Sequence, residues 1–328
     1  MLAPYIEGHF SSLLDLGVRS LALYDDFVQR VRIDSGVHIE YSRRGTLQIA
    51  AADDEVARLT ALAGTLAEAG VVHSLLEAPA VRDLEPGLSP SVRRALLIPS
   101  HGYVAASTLT SALATAAANQ GVVFERASVT QVGQGRSGVC LHSSAGRLEA
   151  DAVVLAAGSW SPQIVVSAAG SAGTVASGSP PVVRPVRGQL VHLQTAAPVA
   201  SHVIWGPGCY VVPWKDGTAL VGATVEEAGF DDRPTAGAVR GLLNAAIGWC
   251  PALEHAVFTG VRVGFRPGTA DELPIVGRAS VSNVFYATGH FRSGVLLAPL
   301  TASLIAALVM DGREGPGLEV MRPARFGL

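Results

Sequence analysis

Lysine is almost missing from this chain: Lys215 stands alone, and every other basic side chain is an arginine. Charge of either sign is scarce. Acidic and basic residues make up 16% of the 328 positions, and the formal net charge is −3. Nucleic acid and anionic lipid both require a dense basic face, so neither is an expected partner. Cysteine is also scarce. Cys140, Cys209 and Cys250 are odd in number, far apart, and form no C-x-x-C pair. That excludes a disulfide framework and a thiolate zinc site, no metal is expected, and a reducing cytoplasm is the simplest setting. The first residues, Met1 to Glu7, hold no basic segment followed by an apolar run, so no secretory leader is expected there. No internal repeat is visible.

Long uncharged runs are limited to one. Gly294 to Met310 (GVLLAPLTASLIAALVM) has no charge over seventeen positions, the lower edge of a membrane span. Pro299, Thr301 and Ser303 interrupt it and no basic cluster flanks it. It reads as a helix buried all round in a large domain, with no membrane as partner.

With 49% apolar residues the chain can build one large or two medium domains. Helical spacing predicts a helix over 11–31, another over 53–70, and an Ala-rich one over 107–120 with Ser107 as N-cap. Alternation predicts strands at 37–41, 45–51, 94–99, 122–126, 128–132 and 139–143. The run 147–157 reads as one strand buried on both faces. Residues 170–181 read as a low-complexity loop. From 182 to 266 the pattern is mostly strand with one helix near 235–249, and strand 284–287 leads through a glycine turn into the apolar helix. Two kinds of structure therefore interleave: an α/β layer (100–165 and 270–328) and an antiparallel sheet (37–51 and 182–266).

Gly133-Gln-Gly135-Arg-Ser-Gly138 matches G-x-G-x-x-G. A dinucleotide fingerprint opens a helix and has an acid roughly 20 positions later. Here a strand follows and the next acid, Glu149, comes too early, so the segment reads as a glycine-rich hairpin.

The last third carries the chemistry. Gly264-Phe-Arg266-Pro-Gly-Thr-Ala-Asp271-Glu-Leu-Pro274-Ile-Val-Gly277 is followed by Ala287-Thr-Gly289-His-Phe-Arg292-Ser-Gly294-Val-Leu-Leu-Ala-Pro299. The second segment is a strand ending in a glycine turn and then a long helix. Its glycines allow close backbone approach, and the helix N-terminus offers unpaired N–H groups to an anion or to the edge of a flavin ring.

These two segments resemble the glycine oxidase branch of the FAD-dependent D-amino-acid oxidase family. Arg44-Gly-Thr-Leu47, Leu84-Glu-Pro86, Val153 to Trp160, Arg184 to Gln189, Tyr210-Val-Val-Pro213 and Val221-Gly-Ala-Thr224 match in the same order, so the resemblance covers essentially the whole chain. It implies an α/β (mixed α+β) fold: a truncated Rossmann-like FAD layer (1–36, 100–181 and 267–328) interleaved with an antiparallel-sheet substrate domain (37–99 and 182–266). It implies that Arg266 grips the substrate carboxylate with a planar fork, that Tyr210 helps to hold it, and that Arg292 lies at the pocket edge. Facing the FAD it places Met1, Val129, Gly158, Trp160, Gly289, His290, Phe291, Arg292, Ser293, Gly294, Val295 and Leu296. Read on their own, Val129, Trp160 and Tyr210 are equally ordinary core residues, Arg266 is a possible partner for the carbonyls of 268–273, and His290 is a backbone-bonding histidine rather than a catalyst. No protein acid or base is needed for the implied reaction. Its partners are a small amino acid or amine and dioxygen, its products an imine and hydrogen peroxide, and its product feeds the thiazole of thiamine. Assembly into a homo-oligomer is compatible with it.

The chain departs from the pattern at Gly208 and Val225, two pocket-shaping positions where a histidine and a methionine are usual. A sarcosine oxidase or D-amino-acid dehydrogenase branch therefore stays open beside glycine oxidation. Cys250 precedes the flavin turn, which speaks against a C-terminal cysteinyl flavin link. The resemblance also implies roughly 50 residues, a βαβ unit with its phosphate loop, ahead of the stretch that Met1 matches. On that reading the chain as written holds FAD weakly, the strand at 151–157 has an unpaired edge, and an inactive fragment is a third alternative. Stoichiometric flavin absorbance in the purified chain would contradict it.

Overall fold

The computed structural model describes residues 1–6, 12–136, 138–167 and 182–328. The loop expected at 170–181 lies outside the described residues. The helices are α1 (Ser12–Ala22), α2 (Tyr24–Ser35), α3 (Asp53–Glu68), α4 (Ala78–Leu84), α5 (Ala106–Asn119), α6 (Ala236–Trp249) and α7 (Gly294–Asp311).

The largest sheet has eight strands, in the order Val257–Gly268, Arg184–Gln194, Thr218–Gly222, Cys209–Pro213, Val203–Gly206, Thr46–Ala50, Arg94–Ile98 and Ser74–Glu77. All neighbours are antiparallel except 203–206 against 46–50. The two-residue period decides what each face does. Val191, Leu193, Val211 and Val221 point to one side and pack with Leu242 and Ala246 of α6. The residues between them, Gly188, Leu190, Tyr210 and Gly222, belong to the other side, and that side faces the candidate site.

A three-stranded sheet of Ile275–Arg278, Val284–Thr288 and Val153–Leu155 lies under α7. Leu16 of α1, Val276, Phe285, and Leu297, Leu300, Leu304 and Leu308 of α7 form its core. Among the described residues α7 is the one helix long and apolar enough to cross a membrane; Leu296, Leu297, Leu300, Leu304, Ile305 and Leu308 are buried, but Ala302, Ser303, Ala306 and Met310 are exposed, so it is not buried all round as expected.

Several local expectations change. The helix expected over 11–31 breaks at Leu23 into α1 and α2. The break lets Tyr24 turn into the core, fully buried, where its ring stacks on Tyr41 with centroids 6.2 Å apart. Residues 37–40 form no strand; only Tyr41–Ser42 pairs, with Tyr103–Val104. Residues 122–126 also form none, and Val122, Val123 and Phe124 are exposed. Ala105, not Ser107, is the N-cap of α5. The run 147–157 is two strands in two sheets, Gly146–Ala150 and Val153–Leu155, split at exposed Asp151. Val154 is 41% exposed, so the second is not buried on both faces. Among the described residues it pairs only with 284–286, leaving its other edge open. The G-x-G-x-x-G stretch is a hairpin: strands Val129–Gln134 and Val139–Ser143 pair antiparallel, and Gly135 N–H donates to the Gly138 carbonyl at 2.9 Å. Its Ser137 lies outside the described residues.

The first turns of α7 show how the long apolar helix is fixed beside the site. Pro299 has no N–H, so the Val295 carbonyl four residues back loses its helical donor. The Tyr24 hydroxyl donates to that carbonyl instead. One residue on, the Ser20 hydroxyl enters the ladder, donating to the Leu296 carbonyl at 2.7 Å and accepting from the Leu300 N–H at 3.4 Å. Both donors are buried, and removing the Tyr24 hydroxyl leaves the Val295 carbonyl unpaired. Tyr24→Phe is expected to lower the unfolding free energy by about 1–3 kcal/mol in urea titrations. In a Pro299→Ala background the helix supplies its own donor and the cost of Tyr24→Phe should shrink. An equal cost in both backgrounds would show that the hydroxyl acts elsewhere.

Candidate active site

Arg266 lies two residues from the end of the long edge strand, paired with Val186. Its Nη1 donates to the Thr224 carbonyl at 2.9 Å and the Arg187 carbonyl at 3.4 Å, not to carbonyls of 268–273. Asp271 in that loop pairs with Arg325 instead, at 2.7 Å. The guanidinium lies against Gly188: a Cβ there would stand 2.5 Å from both Nη atoms. Glycine is what makes room for the fork.

Tyr210 is placed by a two-residue turn. Pro207-Gly208 joins strands 203–206 and 209–213, Gly208 has φ +82°, and Trp205 falls opposite Tyr210. The two rings stack with centroids 5.4 Å apart at 20°. The Tyr210 ring passes over Gly222, where a Cβ would be 2.5 Å from the phenol oxygen. Burial pushes the phenol above its usual pKa, while Arg266 and Arg292 pull the other way, so the group stays a hydroxyl donor across the neutral range.

The chain folds back after Arg266. Leu273 N–H bonds the Asp271 carboxylate at 3.0 Å, then 275–278 and 284–288 form a hairpin that delivers Gly289. Gly289 has φ +73°, and a Cβ would meet Thr269 Cγ2 at 2.8 Å. Phe291 sits at φ 47°, an unusual value for a large side chain, and α7 opens at Gly294 with no side chain capping it. The His290 ring bonds the Thr301 hydroxyl at 3.0 Å rather than backbone, and burial pushes it down to about 4. It is a neutral structural group.

One cavity of about 520 Å³ collects these elements. Tyr210, Arg266, Arg292, Ser293 and Leu296 line it, with Met1, Ala3 and Ile6 from the chain start and Trp205 to Cys209 from the turn. Gly208 and Val225, the two departures from the resembled pattern, line it as well. Among the described residues its wall has no carboxylate and no imidazole.

Gly289, His290, Phe291, Gly294 and Val295 form the turn and helix start behind this wall. Gly158 is tied to that turn, since its carbonyl accepts from the hydroxyls of Thr288 at 3.1 Å and Ser161 at 2.8 Å. Val129 and Trp160 are not brought to the cavity. Val129 is partly buried against a core cluster of the smaller sheets, and Trp160 lies tilted on Phe230 at 5.4 Å and edge-on to Phe265 at 6.0 Å. Trp205 and Gly188 were not singled out from sequence, although the Pro-Gly turn already implied that 205 opposes 210.

A family model for FAD dependent oxidoreductases matches residues 1–308. The chain belongs to that family. It is 31% identical to the bifunctional protein ThiO/ThiG of a Synechocystis strain, over 99% of this chain and 47% of that protein. It is 32% identical to a glycine oxidase of Geobacillus kaustophilus, over 91% of this chain and 78% of that one. The crystal structure of glycine oxidase from Geobacillus kaustophilus superposes with a TM-score of 0.89 at 31% identity, covering 98% of this chain and 85% of the other. The mixed α/β fold expected from the family motifs is thus established. The chain spans about half the length of the ThiO/ThiG relative.

The residues present fit the ring end of the family's FAD. A strained Gly289–Phe291 turn, an uncapped helix start at Gly294 and apolar walls from Met1 and Leu296 provide close backbone approach, N–H donors and a dry face.

Two buried histidines give the fold a signature against acid. His101 is fully buried, its Nδ1 2.8 Å from the Thr46 hydroxyl, and burial, with Arg43 adding, pushes it down to about 3. His290 is held down to about 4 by burial. Both folded values lie below the unfolded one, so the unfolded state binds more protons in acid. Their stabilisation is complete above about pH 6.5 and is lost as pH falls toward 4 and 3. Together they should remove about 4 kcal/mol between pH 7 and pH 5. Urea titrations of the wild type and His101→Asn at both pH values check this. The variant should lose roughly half of the pH dependence; an unchanged difference would mean His101 is not held neutral.

Proposed function

We propose that this site carries out the FAD-dependent oxidation of the Cα–N bond of glycine or a comparably small amino acid or amine, to an imine with release of hydrogen peroxide, and that the imine serves thiazole formation in thiamine synthesis. The observation that carries this reading is the convergence on one cavity of Arg266, Tyr210, and Arg292 and Ser293 from the turn before α7. Arg266 and the Tyr210 hydroxyl bind the carboxylate, the guanidinium by charge-assisted hydrogen bonds and the phenol by an uncharged one. The cavity wall holds the amino acid with its Cα toward the turn. The amine enters in its neutral form, and orientation does most of the work. FAD, when bound, takes up the two electrons and passes them to dioxygen.

A sarcosine or small D-amino-acid preference is the second reading, and the observation that favours it is the placement of Gly208 and Val225 in the cavity wall. Peroxide formation by the FAD-loaded protein from glycine, sarcosine and D-alanine tests both. Glycine turnover with the highest kcat/KM supports the first, and sarcosine or D-alanine turnover without glycine turnover supports the second. No peroxide with any of them, in a protein carrying bound flavin, would overturn both. The same reading places the protein in the cytoplasm.

A further inference from the structure

Behind Arg266, away from the cavity, lies a polar cluster that the proposed reaction does not use. Gln189 is fully buried and Arg187 is 6% exposed, yet both carry polar heads. They meet on one carboxylate. Glu226 Oε2 accepts from Arg187 Nη2 at 2.5 Å and Nε at 3.0 Å, while Oε1 accepts from Gln189 Nε2 at 2.8 Å and from the Thr224 hydroxyl. Gln189 also ties down the far end of the loop, its Oε1 accepting from the Thr235 N–H at 2.8 Å. Arg187 Nη1 reaches the carbonyls of Asp231 and Arg233 at 3.1 and 3.4 Å. The main chain joins in: Arg187 and Glu226 exchange backbone bonds of 2.8 and 3.0 Å, and Gln189 N–H bonds the Thr224 hydroxyl at 2.9 Å.

The two carbonyls that receive Arg266 Nη1 belong to Arg187 and Thr224, which are members of this cluster. The Glu226 carboxylate is partly exposed, but it takes up side-chain donors of the buried Arg187 and Gln189, so turning it away leaves buried donors unpaired. The loop 224–235 also carries Val225 into the cavity wall.

We propose that Glu226 is a positioning residue: through Arg187, Gln189 and Thr224 it fixes the two backbone carbonyls that aim the Arg266 guanidinium at the substrate carboxylate. The proposal rests on Arg266 being the carboxylate ligand. Glu226→Gln keeps the shape but turns an amide N–H₂ against a side-chain donor of Arg187 or of Gln189, so one contact must open and the Thr224 carbonyl is expected to shift. The Glu226 carboxyl is held below its usual range: burial raises it, but the bonds from Thr224, Arg187 and Gln189 outweigh that, so the wild-type cluster is ionised at neutral pH.

The test is calorimetric binding of acetate, which is not oxidised, to the FAD-loaded wild type, Glu226→Gln, Arg266→Ala and the double variant, with each Tm recorded. Glu226→Gln should weaken acetate about tenfold, with Tm within a few degrees, and should have no further effect once Arg266 is gone. For glycine, KM should rise more than kcat falls. Unchanged acetate affinity in Glu226→Gln, or the same loss with and without Arg266, would overturn the proposal. Unchanged affinity in Arg266→Ala would instead overturn the underlying assignment of the carboxylate ligand, so the two failures are distinct. If Glu226→Gln does not fold, Thr224→Val, which removes the hydroxyl's bonds to Glu226 and to the Gln189 N–H, must weaken acetate through Arg266 in the same way; wild-type affinity there counts against the proposal.

Discussion

Replacing Arg266 by alanine is expected to raise KM for small amino acids by about two orders of magnitude or more. Removing one partner of a desolvated arginine–carboxylate pair carries on the order of 3 kcal/mol, roughly a 150-fold change in binding. The direction follows from geometry. Arg266 is a half-buried cation near the end of the long edge strand, aimed by two main-chain carbonyls and lining the cavity. Lysine should restore little of the loss, because an ammonium cannot present the planar fork. Steady-state kinetics with glycine, alongside an amine of similar size without a carboxylate, make the check: the loss should be confined to the carboxylated substrate. Wild-type KM for glycine in Arg266→Ala would show that another residue holds the carboxylate.

Gly188→Ala should be nearly as damaging, without touching a residue that contacts substrate. The new methyl would sit 2.5 Å from both Nη atoms of Arg266 and 2.6 Å from Cζ. Those atoms are the far end of a flexible side chain, so the fold can yield by swinging the guanidinium aside. The expected result is a kcat/KM lower by about 10²-fold, the usual consequence of displacing a positioning group by about 1 Å, with little change in Tm. Gly222→Ala makes a useful contrast. There the methyl would meet the Tyr210 hydroxyl at 2.5 Å and its ring at 2.6 Å, but that ring is stacked on Trp205 and cannot swing as freely. It should lose stability as well as activity. If Gly188→Ala leaves activity intact, the guanidinium position seen here is not the working one.

Much of this site was legible in the sequence because glycine, proline and arginine carry specific meaning. The segments around Arg266 and Gly289–Gly294 pointed to a strand, a sharp turn and a helix start, and those elements are present. The helix 294–310 followed from its uncharged run, but composition did not show that one face, with Ala302, Ser303, Ala306 and Met310, is exposed. What composition cannot express is pairing. Residues 147–157 read as one strand because the apolar run is continuous, yet Asp151 splits it between two sheets. The helix over 11–31 has unbroken periodicity, and nothing in it signals the break at Leu23, after which Tyr24 reaches the Val295 carbonyl that Pro299, distant in sequence, leaves without its helical donor. Gly188 gave no signal of its own, since its value lies in what a side chain from a neighbouring strand does above it. The Glu226 cluster was hidden for the same reason: Arg187, Gln189 and Glu226 look like ordinary strand and loop polarity until the sheet brings them together.

The most direct test of the account is a crystal structure of the FAD-loaded protein with a small unreactive carboxylate such as acetate. The account predicts the carboxylate in the cavity between Arg266 and Tyr210, with oxygens about 3 Å from the guanidinium and the phenol, and the methyl group toward the Gly289–Gly294 turn. A carboxylate bound instead in the neighbouring cavity lined by Gln48, Arg58 and Trp205, or held by Arg292 without Arg266, would contradict it.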